Sequence, residues 1–124
     1  MEAKMRTSTT HYTQEVDRKV QMKIFHELAE EIYPLFEQYQ IAYPIIKIRR
    51  MRARWGTCQY RKGVIILNSR LIERPREFMK YVLVHEFAHF VQPNHSKAFY
   101  KVVEEVMPNW KGIVAHEKEN FANR

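Results

Sequence analysis

Only one cysteine, Cys58, occurs in the 124 residues, so no disulfide can form within the chain. No apolar run reaches the roughly 20 residues needed to span a membrane. The opening stretch Met1-Glu2-Ala3-Lys4-Met5-Arg6 leads into polar Thr and Ser rather than an apolar signal core. These absences together make cytoplasmic residence and no membrane association the expectation. No internal repeat or linker is visible, so residues 1–124 are expected to form one domain, with residues 1–12 loosely ordered. Acidic residues are in deficit, 14 against 21 Lys and Arg, and the net charge of +7 permits acidic partners. The basic residues crowd the middle third, residues 47–76. Most read as a solvated sheet face, and the alternative is a site for anions.

What is present is the composition of a globular protein, 45% hydrophobic. Apolar residues recur at helical spacing through residues 13–39, at Val16, Val20, Ile24, Leu28, Ile32 and Phe36. Pro34 should kink or break that helix near Tyr33. His26 within it reads as an ordinary surface residue. Residues 45–55 read as a strand whose period slips at Arg49-Arg50, which suggests a bulge. Two of the three glycines, Gly56 and Gly63, mark residues 56–63 as a hairpin connection. Val64, Ile65, Ile66, Leu67 and Asn68 then form a second strand, apolar on both faces. Pro75 opens a helix and Pro93 ends it. A further helix is expected over residues 96–107, with Phe99, Val102, Val103 and Val106 inward. Pro108 stops it, and a partly helical tail packs Trp110, Ile113 and Val114 back. The fold class is therefore α+β.

The run His85-Glu86-Phe87-Ala88-His89 carries the chemistry. Residues four apart share one helix face, so two imidazoles can grip one metal ion. Glu86, about 100° around the helix, can reach a water on the metal without being a ligand. This is the H-E-x-x-H arrangement of metallohydrolases, with the glutamate as general base. His95 stands at the third-ligand spacing of the longer zinc signature. Gln92 replaces that signature's glycine, and Pro93-Asn94 offers a different turn chemistry. The surrounding stretch, residues 78–91, is apolar almost all round, as in a buried helix. Buried His and Glu side chains need partners, and a metal supplies one. One Zn2+ per chain is expected, with His85, His89 and His95 as ligands. Glu104 and Glu105 are rival third ligands, ranked below His95. Cys58, without a C-x-x-C partner, reads as a packed thiol rather than a ligand. Trp55 reads as a core anchor beneath the hairpin.

Four ordered segments resemble the YgjP-like metallopeptidases, relatives of the SprT-like zinc proteases. Met51-Arg52-Ala53-Arg54-Trp55-Gly56-Thr57-Cys58 is similar to that family's R-W-G-S-C signature. Asn68-Ser69-Arg70-Leu71 is similar to its N-x-R-L segment, and Val84-His85-Glu86-Phe87-Ala88-His89 to its V-H-E-L-A-H helix. Asn94-His95-Ser96-Lys97-Ala98-Phe99-Tyr100 resembles its N-H-S-x-x-F-W run, and Met107-Pro108-Asn109-Trp110 its closing P-D-Y. The departures are Thr57 for Ser, Phe87 for Leu and Tyr100 for Trp. The resemblance implies a minimal zincin-like domain that binds zinc through His85, His89 and His95, uses Glu86 as base, and acts on proteins, including proteins bound to DNA.

Peptide-bond hydrolysis by a zinc-activated water is the expected activity, and three imidazoles leave a fourth metal position open for it. Val64, Ile65, Ile66, Leu67 and Asn68 are expected to form the cleft rim and pair with an extended peptide. Arg54, Arg70, Tyr100 and Asn68 are candidates for transition-state or anion contacts. Two other function classes compete. One is a metal-dependent hydrolase of nucleotide phosphoanhydrides, served by the arginines. The other is a non-catalytic binding module with a structural zinc, against which an intact Glu86 argues.

Overall fold

The computed structural model describes residues 10–122, with side chains described for residues 17–118. Helix α1, Thr10–Ile32, runs into a 3-10 turn at Tyr33–Tyr39 with Pro34 at its start. The break falls where Pro34 removes a backbone donor. The helix starts three residues before the expected position. Of the segment expected to be loosely ordered, residues 1–9 lie outside the described residues. The inward stripe is Phe25, Leu28, Ala29, Ile32 and Phe36. Val20, expected on that stripe, is 50% exposed.

The sheet differs from the expected long strand and simple hairpin. Residues 45–55 are not one bulged strand. Strand β1 covers only Ile45–Arg49 of that stretch, and strand β2, Gly56–Gln59, begins inside the stretch expected to be a connection. Strand β3 is Val64–Asn68, and the order is β1-β3-β2. β3 pairs parallel with β1 and antiparallel with β2. The β2–β3 turn occupies residues 60–63 and closes with Gly63 at φ 71, a conformation that favours glycine. β1 alternates, with Ile46 and Ile48 buried and Lys47 and Arg49 outward, as a solvated sheet face should. β3 is buried at all five positions because it lies between two strands and under helices.

This topology forces a crossing. Arg49 and Gly56 pair with Asn68 and Leu67 from opposite sides, so residues 50–55 cross over the Asn68 end of β3. Asn68 holds the crossing: its amide nitrogen donates to the carbonyls of Met51 (3.0 Å) and Arg54 (2.7 Å). Its carbonyl oxygen accepts from the backbone of Arg70 at 3.0 Å.

After a 3-10 turn at Ser69–Glu73, helix α2 covers Arg76–Ala88, α3 Lys97–Val106 and α4 Trp110–Ala122. α2 ends at Ala88 rather than at Pro93, and residues 89–92 continue as tightened turns, with Val91 N and Gln92 N both donating to Ala88 O. Ser96 caps α3 by accepting from Phe99 N at 3.3 Å. α2 is the centre of the molecule and packs against α1, α3, α4 and β2. Its Leu83 and Phe87 have no exposed surface, and each such side chain contributes roughly 1.5–3 kcal/mol by burial. α4 is tied to the entry of α2 by an ion pair, Arg74 Nε to Glu117 at 2.5 Å, with both side chains under 10% exposed.

Candidate metal centre and cleft

His85 and Glu86 come from the last turn of α2, and His89 is its C-cap. The early end of α2 matters here. The turn at 89–92 and Pro93 fold the chain back, and His95 returns to the other two histidines. One nitrogen from each of His85, His89 and His95 lies within 4.8 Å of the others. His89 Nε2 and His95 Nε2 are 3.1 Å apart. The Nδ1–H of His89 donates to the Gln92 carbonyl at 3.3 Å, and the Nδ1–H of His85 donates to Glu86 Oε2 at 3.3 Å. Those bonds leave the Nε2 lone pair of each ring free. Phe99, fully buried, stands against all three imidazoles, with centroids at 5.0, 4.5 and 5.0 Å. Burial holds the His89 pKa below the usual histidine range. His85 and His95 push the same way, while Glu86 and the Gln92 carbonyl oppose them. Three convergent imidazoles, two of them with their outer nitrogens already engaged, are a donor set that fits a late first-row divalent metal ion.

Glu86 is 5% exposed. A Cβ added at Gly56 would stand 3.4 Å from Glu86 Cγ and Oε2 and 3.3 Å from Leu67. The glycine therefore lets the start of β2 lie directly over the carboxylate. The histidines and Glu86 form the floor of a cleft of about 520 Å³ whose walls include Arg54, Trp55, Thr57, Cys58, Tyr60 and Tyr81.

The other residues singled out in the sequence distribute as follows. Val64, Ile65, Ile66, Leu67 and Asn68 do not form the rim. Both edges of β3 are taken by β1 and β2, so no backbone group there is free to pair with a ligand. The rim is β2, the edge strand. Asn68 spends its amide on the crossing. Tyr100 is outside the cleft: it stacks on Trp110 at 5.4 Å and lines a separate groove behind His95. Glu104 and Glu105 are exposed in that same groove, and Glu105 accepts a hydrogen bond from the Tyr39 hydroxyl. Neither belongs to the histidine cluster among the described residues. Trp55 is half-buried, meets Phe78 edge-on at 5.7 Å and walls the cleft. Cys58 also faces the cleft, and burial, with the Glu86 charge, pushes its thiol up to about 12.

Sequence reasoning missed Tyr81. It lies one turn before His85, the two rings 5.9 Å apart, and lines the cleft. Burial first, then Tyr100 and Glu86, raise its hydroxyl to about 12, so it stays a donor. Its spacing, four residues before His85, was the available signal.

No helix among the described residues is long and apolar enough to cross a membrane. The YgjP-like, metallopeptidase domain family matches residues 2–119. Among solved structures, the metallopeptidase zymogen abylysin of Pyrococcus abyssi is 22% identical. That match covers 81% of this chain and 96% of that one at a TM-score of 0.68. The metallopeptidase zymogen jannalysin of Methanocaldococcus jannaschii is 17% identical, with 75% and 95% covered at a TM-score of 0.56. Among curated proteins nothing matches.

Proposed function

This chain belongs to the YgjP-like metallopeptidase family, and on that premise we propose that it is a zinc-dependent peptidase with His85, His89 and His95 as ligands and Glu86 as general base. The observation that carries the reading is the convergence of three imidazoles beside a buried carboxylate in one open cleft. Zinc held by the three histidines would supply a Lewis acid, bringing the pKa of water toward about 7 and polarising a carbonyl. Glu86 accepts the proton of the attacking water and returns it to the departing amine nitrogen. Its burial under Gly56 and its bond from His85 fix the carboxylate, so little reorganisation accompanies the transfer. The Tyr81 hydroxyl donates to the oxygen on which charge develops. The substrate lies extended along β2. The outer edge of that strand is unpaired in the sheet, and Thr57 and Cys58 face the cleft.

The test is a panel of unfolded proteins, peptides and nucleoside triphosphates, run with metal-loaded protein and with Glu86→Gln. Cleavage of peptide bonds by the native protein alone supports the reading. Hydrolysis of the triphosphates with no peptide cut would replace it.

A further inference from the structure

The crossing segment that Asn68 holds encloses a second, smaller cavity of about 200 Å³, lined by Met51, Ala53, Asn68 and three arginines, Arg52, Arg54 and Arg70. No carboxylate lines it. The three guanidinium groups are exposed, and among the described residues none of them has an ion pair. Three like charges around so small a space repel one another, and an anion is what would relieve them. The cavity is built rather than incidental. Asn68, 4% exposed, fixes the backbone of Met51, Arg54 and Arg70 by the hydrogen bonds already described. It also adjoins the metal cleft, because Arg54 and Trp55 wall both.

Position decides the ligand. Arg54 precedes Gly56 by two residues, roughly 7 Å at about 3.3 Å per residue. An extended chain on the edge of β2 therefore passes Arg54 just beyond the Gly56 end, and Arg54 is the arginine that the cleft shares with the smaller cavity. If it runs antiparallel to β2, the commoner pairing, the part that passes Arg54 lies on the C-terminal side of the bond to be cut.

We propose that Arg52, Arg54 and Arg70 form a carboxylate-recognition subsite selecting peptides with an acidic side chain, or a free C-terminus, a few residues downstream of the scissile bond. This rests on the peptidase reading for its orientation, but not for its anion chemistry. A planar, bidentate donor suits a carboxylate, and the volume admits one such group rather than a nucleotide.

The experiment uses fluorescein-labelled octapeptides of Ala and Ser in four forms: one Glu near an amidated C-terminus, Gln in its place, a free C-terminus with Gln, and Lys in its place. Binding to zinc-loaded Glu86→Gln is read by anisotropy, and cleavage by the native protein as kcat/KM. The Glu or free-acid form should exceed the Gln form by about tenfold in both readings, since a charge-assisted pair supplies that much. Which of the two is preferred distinguishes a side chain from a chain end. In Arg52→Gln/Arg70→Gln, both exposed positions, the ratio should fall to within about twofold while the melting temperature stays unchanged. Equal binding of acidic and neutral forms overturns the subsite and leaves the peptidase intact. Preferential binding of acidic forms without any cleavage keeps the subsite and overturns the peptidase. Displacement of the peptide by short oligothymidylate more effectively than by the acidic peptide itself overturns carboxylate recognition in favour of phosphate.

Discussion

The Nε2 atoms of His89 and His95 lie 3.1 Å apart, and His89 is braced from behind by the Gln92 carbonyl. Two lone pairs cannot face each other at that distance without a proton or a cation between them. A proton there needs one ring in its Nε2–H tautomer, whereas a metal ion takes a lone pair from each ring, and the convergence of all three histidines favours the metal.

Purified protein should accordingly hold about one zinc per chain, the count expected of three such ligands. His85→Ala and His89→Ala should abolish binding, and His95→Ala should weaken it strongly. Glu104→Ala and Glu105→Ala should retain it. Elemental analysis of gel-filtered protein decides. Full zinc in His95→Ala with loss in either glutamate variant would reassign the third ligand.

Glu86→Gln should keep zinc and fold while losing about 100-fold or more in kcat, since an amide cannot take the proton. Tyr81→Phe should lose kcat by a smaller factor of about 10, with little change in KM, if its hydroxyl acts only on the developing oxyanion. Turnover of a peptide cut by the native protein is the measurement. A fully active Glu86→Gln would end the general-base assignment.

Chelation should lower the melting temperature by about 10 °C, because ligands on the central helix couple metal binding to folding. Scanning fluorimetry with and without a chelator, followed by zinc readdition, reads this directly. An unchanged melt after verified zinc removal would contradict the coupling.

Glu117→Ala should destabilise the protein by up to about 3–5 kcal/mol, since it removes a buried carboxylate partner of the Arg74 guanidinium. Urea unfolding measures it. A cost below about 1 kcal/mol would mean that α4 contributes little to holding the entry of α2.

Cys58 in metal-free protein should alkylate slowly. Its thiol is raised from an ordinary value near 9 to about 12, by burial first and by Glu86 second. A folded-state value above the unfolded one means the protonated thiol favours the native state. That contribution is fully present below about pH 9 and is lost as pH rises through about 12. Iodoacetamide at pH 8 should react at least about 100-fold more slowly than in urea, in proportion to the thiolate available. Comparable rates would show the thiol to be solvated.

The site was legible in the sequence to the extent that its geometry is local. His85 and His89 share a face by helical arithmetic alone, and two of the segments behind the family resemblance, around residues 54–58 and His95, line the same cleft. His95 was placed by spacing, although the helix stops at Ala88 and not at Pro93, and the turn at 89–92 brings the ring back. The sheet was not legible in the same way. Whether residues 45–49 pair parallel or antiparallel with β3 is decided by a crossing over Asn68, which no alternation pattern encodes. The continuous apolar run of residues 64–67 did carry a signal, burial on both faces, and that is the mark of a central strand rather than a rim. Val20 failed for the reverse reason, since helical spacing says which face a residue is on but not whether anything covers it. Tyr81 was hidden by its own hydrophobicity, reading as core on a helix that reads as core throughout.

The chain has two tryptophans, and their placement gives the protein built-in optics. Trp55 stands in the wall shared by the cleft and the arginine cavity. Trp110 is sandwiched between Tyr81, which lines the cleft, and Tyr100, which lines the groove behind His95. Emission from Trp55 should therefore respond to an occupant of either cavity, while Trp110 registers the stack beside the histidines. Single Trp→Phe variants would separate the two signals. Entry of a substrate and loading of the metal can then be timed independently in unlabelled protein.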